Sequence, residues 1–403
     1  MDDQIGLKIG LAIFGGALLA LSSSLNYLFF GKITGLSGYL YYVVGFKFGP
    51  LFHLRLCYIV GMTTVIDIYF NTAGRELFGL PVLDPEDEIN VVSWIIGGLL
   101  IGFGVRWSGG CTTGHGVCGL PRLSKRAITA VCIFMIFGIA TASINAVIGP
   151  LPPSYKFEKE SKFYYSIVPR IVLSVYQFAA FVYIVYYLVT KRPNLQKISP
   201  LAYFFTGTIG GLGFLISGMC RRQKILHFLA LNRDWDPSLL FVMGTAAGIN
   251  LITFQYTMRK KEAFFNKDID LPDTFMDKGI YIGPAIFGVG WGIIGLCPGP
   301  ALANITVLGW SLSIVILIYI GQYLFDFSEN QYYKRIEDHK AEVKEEDNDG
   351  ASKVITAQSK YVIDMKEEDN GGVINETVVH FSGTHNDSIT QFTGLNNDSV
   401  QVK

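Results

Sequence analysis

Forty-seven consecutive residues, Gly279 to Phe325, contain no Asp, Glu, Lys or Arg. No other feature restricts the fold as much. A helix crosses the hydrocarbon core of a bilayer in about 20 residues, so this run has room for two crossings. Uncharged runs at Ile9 to Gly31, Ala127 to Tyr155, Ile171 to Thr190, Ile198 to Cys220 and Pro237 to Met258 are each long enough for another. A chain of 403 residues could hold two or three soluble domains, but half of these residues are hydrophobic and only 16% are charged. That balance excludes a soluble reading.

The net charge of zero conceals an acidic tail: residues 328–403 hold 15 acidic and 8 basic side chains. The remaining Lys and Arg lie singly or in threes between apolar runs, which excludes a nucleic-acid surface. Six cysteines in a chain of this length do not make a disulfide scaffold. The acidic start Met-Asp-Asp-Gln is unlike a signal peptide, so the first apolar run is expected to stay in the membrane. Clusters Arg122/Lys125/Arg126, Lys191/Arg192/Lys197 and Arg259/Lys260/Lys261 fall in short loops. Placing all three in the cytosol, where loops carry Lys and Arg, gives about nine transmembrane helices. The N-terminus and the acidic loop Asp84 to Glu88 are then outside and the C-terminus cytosolic. The sequons at Asn375, Asn386 and Asn397 would accordingly go unused.

The chain contains one unit twice. In GFGVRWSGGCTTGHG Cys111 stands nine positions after Gly102, and in GVGWGIIGLCPGPA Cys297 stands nine positions after Gly288. Upstream, Gly15-Gly16 leads to Lys32-Ile33 as Gly210-Gly211 leads to Lys224-Ile225. With the nine-crossing parity the two units run in opposite directions. The fold class is therefore an all-α polytopic membrane protein of two inverted repeats, with four short half-helices at about 32–43, 111–120, 221–231 and 297–306. Broken backbone at membrane depth is tolerated where it lines a cavity or is buried in protein. The expected divisions are repeat 1 at 1–149, a loop and connecting helix at 150–198, repeat 2 at 199–327 and a disordered cytosolic tail at 328–403.

Cys111 and Cys297 each stand where an apolar helix breaks into a Gly or Pro turn, at the head of a half-helix whose free N–H groups favour an anion. The neighbours Gly110, Thr112, Thr113, Gly114, Pro298 and Gly299 fall in the same turns. Cys220 precedes Arg221, Arg222 and Lys224 at an outer helix end, where the three cations would concentrate anions. Cys118 could share the Cys111 face, while Cys57 and Cys132 read as packing. His115 lies four residues from Cys111, but two ligands are too few for a metal site, so no metal is expected. It reads as a polar pore residue or a hydrogen-bonded structural one. Arg106 sits deep in an apolar run, with Asp67 a candidate counter-ion. Gly290-Trp-Gly-Ile-Ile-Gly295 matches a dinucleotide pattern without its βαβ setting, so its glycines are assigned to helix contact. No catalytic base, nucleophile triad or cofactor motif accompanies the cysteines.

These segments, together with GLGFLISGMCRRQKILHFL and Trp235-Asp-Pro-Ser238, resemble the YeeE/YedE sulfur-transport family over about residues 8–327. The resemblance implies a thiosulfate-type permease of the cell membrane, hourglass-shaped, with nine crossing helices. It also implies pathway cysteines at the waist, roles that fall to Cys111 and Cys297. Family members commonly carry a further cysteine in the first short motif, where this chain has Ser22-Ser23-Ser24. The expected partners are the lipid bilayer and thiosulfate or a related small sulfur anion, with sulfite as an alternative. A cytosolic sulfurtransferase is not identifiable from the sequence. A thiol oxidoreductase using Cys111 and Cys297 as a redox pair is the rival class.

Overall fold

The computed structural model describes residues 2–72, 76–77, 80–81, 87–148, 154–157, 177, 182 and 199–346, except 233, 273, 274 and 308. Its helices are α1 (Asp2–Phe30), α2 (Leu36–Val44), α3 (Phe52–Thr72), α4 (Val91–Ser108), the π-wound α5 (Thr112–Gly119) and α6 (Lys125–Ile148). After the connecting residues come α7 (Ser199–Ser217), α8 (Arg222–Leu229), α9 (Ser238–Lys260), α10 (Gly279–Ile294), α11 (Pro298–Ala303) and α12 (Gly309–Glu346). Six are long and apolar enough to cross a membrane, and α10 with the segment to Thr306 makes a seventh as one span bent by 51°. The chain is a multi-pass, essentially all-helical membrane protein. Among the described residues, strands are confined to two loop ribbons. β1 (Glu76–Leu77) pairs with β2 (Leu80–Pro81), and β3 (Asp87–Asn90) pairs antiparallel with β4 (Ser154–Phe157), Asn90 opposite Ser154.

The long helices form two rows, α3–α7–α1–α9 and α6–α10–α4–α12. Exchanging each of α1 to α6 with the helix six places later maps both rows onto themselves. The short helices α2, α5, α8 and α11 lie between the rows, each touching members of both. Close approach of the long helices depends on glycine, because lipid offers helices no hydrophobic reason to associate and backbone contact must supply the attraction. A methyl group at Gly16 of α1 would stand 2.6 Å from the Val242 carbonyl oxygen of α9. At the exchanged position, a methyl at Gly211 of α7 would stand 2.6 Å from the Met62 carbonyl oxygen of α3. In the repeated Gly-x-Gly unit, Gly102 packs on α12 and Gly288 on α6, while Gly104 and Gly290 form the α4–α10 contact. Gly292 meets α6, which accounts for the pattern at 290–295 by helix contact.

Every half-helix follows a glycine with positive φ: Gly31 at 70°, Gly109 at 76°, Gly218 at 71° and Gly295 at 69°. Side chains at such angles cost roughly 1–2 kcal/mol, so glycine is the residue that stops one helix and lets the next begin a few residues later. The half-helices thus fall within the four expected windows to within one residue. Their register corrects one expectation, because Lys32 precedes α2 whereas Lys224 lies inside α8. The Lys-Ile pairs are not equivalent; Gly31 and Gly218 are. A second difference concerns residues 328–346, expected as disordered tail. Helix α12 continues to Glu346, through a stretch free of Gly and Pro and rich in Glu and Lys. The expected connecting helix at about 165–190, the tail beyond 346 and its three sequons lie outside the described residues, apart from 177 and 182.

Candidate functional site

Helix α4 ends on Gly109, and after Gly110 the chain extends through Cys111 (φ −114°, ψ −168°), which caps α5. Helix α10 ends on Gly295, and after Leu296 it extends through Cys297 (φ −117°, ψ 169°), which caps α11. The two cysteines therefore share one backbone geometry, and both are buried. The halves meet here: the Thr112 hydroxyl donates to Cys297 Sγ at 3.3 Å, and the Thr113 hydroxyl lies 3.0 Å from Cys111 Sγ. Leu36 N, at the start of α2, donates to Thr113 Oγ1 at 3.4 Å. A methyl at Gly299 would stand 2.9 Å from Leu36 Cδ1 and 2.8 Å from Phe214. The heads of three half-helices thus converge around two thiols and two threonine hydroxyls. The fourth, α8, packs beside Gly295 through Leu226.

The two caps differ in what they offer an anion. In α5 the N–H groups of Thr112, Thr113 and Gly114 precede the first backbone bond, from His115 N to the Cys111 carbonyl at 2.8 Å. In α11 Pro298 and Pro300 have no N–H, which leaves Gly299 alone. The helix-head N–H groups thus number three at Cys111 and one at Cys297. Space is also unequal, since a methyl at Gly114 or Gly35 would meet nothing within 4 Å.

Several expected site residues stand elsewhere. His115 turns back, its Nε2 3.2 Å from the Ser108 carbonyl and its ring against Gly110. Arg106 pairs with Asp326, Nε to Oδ1 at 2.6 Å, and not with Asp67. Tyr41 donates to the same carboxylate and Lys47 lies 3.6 Å from it. An arginine in an apolar run needs such a partner, but Asp326 lies 220 residues away in sequence. Cys220 is buried at the α7–α8 turn, its carbonyl held by Asn304 Nδ2 at 2.8 Å. Cys118 donates to the Thr34 carbonyl at 3.8 Å, while Cys57 is buried and Cys132 exposed.

Arg222 reaches the Ile294 carbonyl at 3.4 Å, and Lys224 folds back, buried, onto the Ser217 carbonyl at 2.8 Å. Both therefore hold helix ends. Beside them Lys8, Arg221, Lys224 and Asp236 line a small open cleft of ≈ 30 Å³. Burial works to raise the Asp236 carboxyl, but hydrogen bonding to Ser238 and the charges of Lys224 and Lys8 outweigh it and hold the group below the ordinary carboxylate range. The cleft is cationic with one fixed anion in it.

The serines at the missing cysteine are committed to helix contacts. Ser22 donates to the Thr206 carbonyl at 2.7 Å and Ser24 to Asn250 Oδ1 at 2.7 Å, joining α1 to α7 and α9. Asn26 and Thr34 extend this buried network. Asn26 and Asn250, polar residues inside apolar runs, were the signal for it in the sequence.

Residues 9–141 match the family described as sulphur transport, and residues 198–337 match a family described as of unknown function. A probable transporter of Xylella fastidiosa strain Temecula1 is 37% identical over 139 residues, which is 33% of this chain and 94% of the relative. Another, from strain 9a5c, is 38% identical over 142 residues, 34% of this chain and 93% of that protein. This chain belongs to the YeeE/YedE sulphur-transport family. Family and relatives alike indicate a transporter and not an enzyme. Both relatives are well short of this chain in length, close to the size of one of its halves.

Proposed function

We propose that this family member is a permease for a small divalent sulfur anion, thiosulfate first among them, handed between the thiols of Cys111 and Cys297. The observation that carries the reading is the contact of Thr112 with Cys297 Sγ, which joins the two halves at their cysteines. Neutral thiols are weak donors suited to a soft terminal sulfur, and the threonine hydroxyls and α5 N–H groups suit the oxyanion end. Weak contacts are an advantage where what is bound must leave again. Gly110, Gly114, Pro298 and Gly299 shape the passage, and Cys220 is a further thiol on the α8 side.

Two inverted repeats, nine crossings and an hourglass with its waist at these cysteines complete the proposal. In its support, exchanging the halves preserves the helix rows, and a relative near the size of one half is 37% identical to a third of the chain. Nine crossings result when α3 and the connecting helix expected from the sequence, outside the described residues, are added to the seven. Sidedness is supported by contacts between distant loops. The α3–α4 loop pairs with the loop after α6 through β3 and β4, and its Leu77 and Leu80 share the cleft with Lys8, Arg221 and Asp236. These segments form the outer side. Arg126 and Asp277, paired at 2.6 Å, lie with Arg122 on the cytosolic one. Glycosylation at Asn386 would refute that assignment.

Uptake of sulfur-labelled thiosulfate into proteoliposomes, with sulfate and sulfite as competitors, tests the substrate. Cys111→Ala and Cys297→Ala should each lose most uptake with insertion intact, and Cys132→Ala should not. Retained uptake in the double variant would refute the cysteine hand-over. Stronger competition by sulfite than by unlabelled thiosulfate would favour the alternative anion. A Cys111–Cys297 disulfide that forms and breaks with turnover, read by mass spectrometry, would favour the oxidoreductase.

A further inference from the structure

The connection between α9 and α10, residues 261–278, lies across the end of α1. Its backbone N–H groups take that helix's last carbonyls: Phe264 to Leu28 at 2.9 Å, Phe265 to Phe29 at 2.8 Å and Asp270 to Gly31 at 2.7 Å. The Asp270 carboxylate accepts from Lys32 Nζ at 2.7 Å and from the Ile33 N–H at 3.0 Å. Its carbonyl accepts from Arg122 at 3.1 Å and from the Tyr27 hydroxyl at 3.0 Å. Lys32 and Asp270 are 27% and 31% exposed, so this ion pair stands at a rim within reach of water.

Inward from that rim a polar file leads to the site. Ile33 is followed by Thr34, whose carbonyl holds the Cys118 thiol, and Leu36 N reaches Thr113 beside Cys111. At its head an ammonium and a backbone N–H are therefore filled by the protein's own carboxylate. The oxyanion end of a small sulfur dianion asks for those same donors. At the other mouth the connection between α3 and α4, which takes the place of the α9–α10 connection when the halves are exchanged, contributes Leu77 and Leu80 to an open cleft.

We infer that Lys32 Nζ and the Ile33 N–H form a second site for small divalent oxyanions at the mouth beside Arg122, and that Asp270 is a tethered anion holding it shut. Its role as a gate rests on the transport reading; the site itself does not. A permeant dianion arriving at this mouth displaces the carboxylate, and the carboxylate reclaims the donors after release. The loop stays fastened in the exchange, because the Arg126–Asp277 pair and the backbone bonds to α1 do not involve the Asp270 side chain.

The test is thermal unfolding of purified protein carrying Cys111→Ala and Cys297→Ala, titrated with sulfate and thiosulfate against chloride at matched ionic strength. A gate shut for nine-tenths of the time weakens apparent affinity about tenfold, so Asp270→Ala should bind both dianions roughly tenfold more tightly. Adding Lys32→Gln should abolish that gain, and Asp270→Asn serves if the Ala variant does not fold. Equal affinities with and without the carboxylate, or a gain that survives Lys32→Gln, would overturn the site. Absence of uptake by the wild-type protein, with the Asp270→Ala shift intact, would instead overturn the transport reading.

Discussion

Replacing Thr112 with Val tests the meeting of the two halves without removing either cysteine. The side chain is buried and its hydroxyl donates to Cys297 Sγ at 3.3 Å. A net hydrogen bond contributes about 0.5–1.5 kcal/mol, and a weak sulfur acceptor belongs in the lower half of that range. If the contact aligns Cys297 for the substrate, Thr112→Val loses about 0.5–1 kcal/mol of transition-state stabilisation, or roughly 2- to 5-fold in kcat/KM. The decisive quantity is the coupling to Cys297→Ala, which removes the acceptor that Ser would retain, measured on the uptake that remains. The hydroxyl can act through Cys297 only once, so the double variant should be less impaired than the product of the single effects by that same factor. The assay is initial-rate uptake in proteoliposomes over a range of thiosulfate concentrations, corrected for inserted protein. Effects that multiply would show that the two residues act independently, and the hand-over would lose its structural basis.

Glycine supplies an internal control. Gly114→Ala should leave Tm nearly unchanged yet slow uptake, because a methyl there meets nothing within 4 Å and narrows the passage. Gly16→Ala, against the Val242 carbonyl, should cost about 1–3 kcal/mol, read as a lower Tm in detergent. Asp326→Asn should destabilise by about 1–3 kcal/mol, below the full cost of breaking a buried pair because Arg106 is partly exposed. Exchanging Arg221, Arg222 and Lys224 for Gln should raise the apparent KM and flatten its dependence on salt, since a field over this mouth is screened within about 8 Å. Parallel salt responses would reduce the cluster to its helix-end bonds.

The features legible in the sequence were those with a local cause. A glycine that stops a helix, a half-helix that follows and a cysteine at its head need only a few neighbouring residues, so Gly109 to Cys111 and Gly295 to Cys297 could be placed in advance. Partners across the fold could not. Arg106 pairs with Asp326 because α4 and α12 adjoin in one row, an adjacency that no spacing encodes. Matching Lys32 with Lys224 by eye failed for a related reason, because two short motifs of unequal length can be aligned at the wrong residue. Asp270 showed no signal at all: one acid in a polar loop becomes notable only when Lys32 and the Ile33 N–H are found beneath it.

The inequality of the two caps gives the proposed hand-over a direction in chemical terms. With its three leading N–H groups, two hydroxyls and the open space at Gly114, the Cys111 side can hold the charged oxygens of a sulfur dianion. The Cys297 side, with Gly299 as its one N–H among two prolines, has little to offer charge and mainly a thiol to offer sulfur. A symmetric anion such as sulfate can satisfy the first side and finds no soft partner for the second. Thiosulfate, with oxygen at one end and sulfur at the other, can satisfy both at once. Discrimination between these dianions should therefore reside in Cys297 more than in Cys111. Cys297→Ser should weaken thiosulfate competition while leaving sulfate competition nearly unchanged, whereas loss of both in equal measure would show that the thiol does not recognise sulfur.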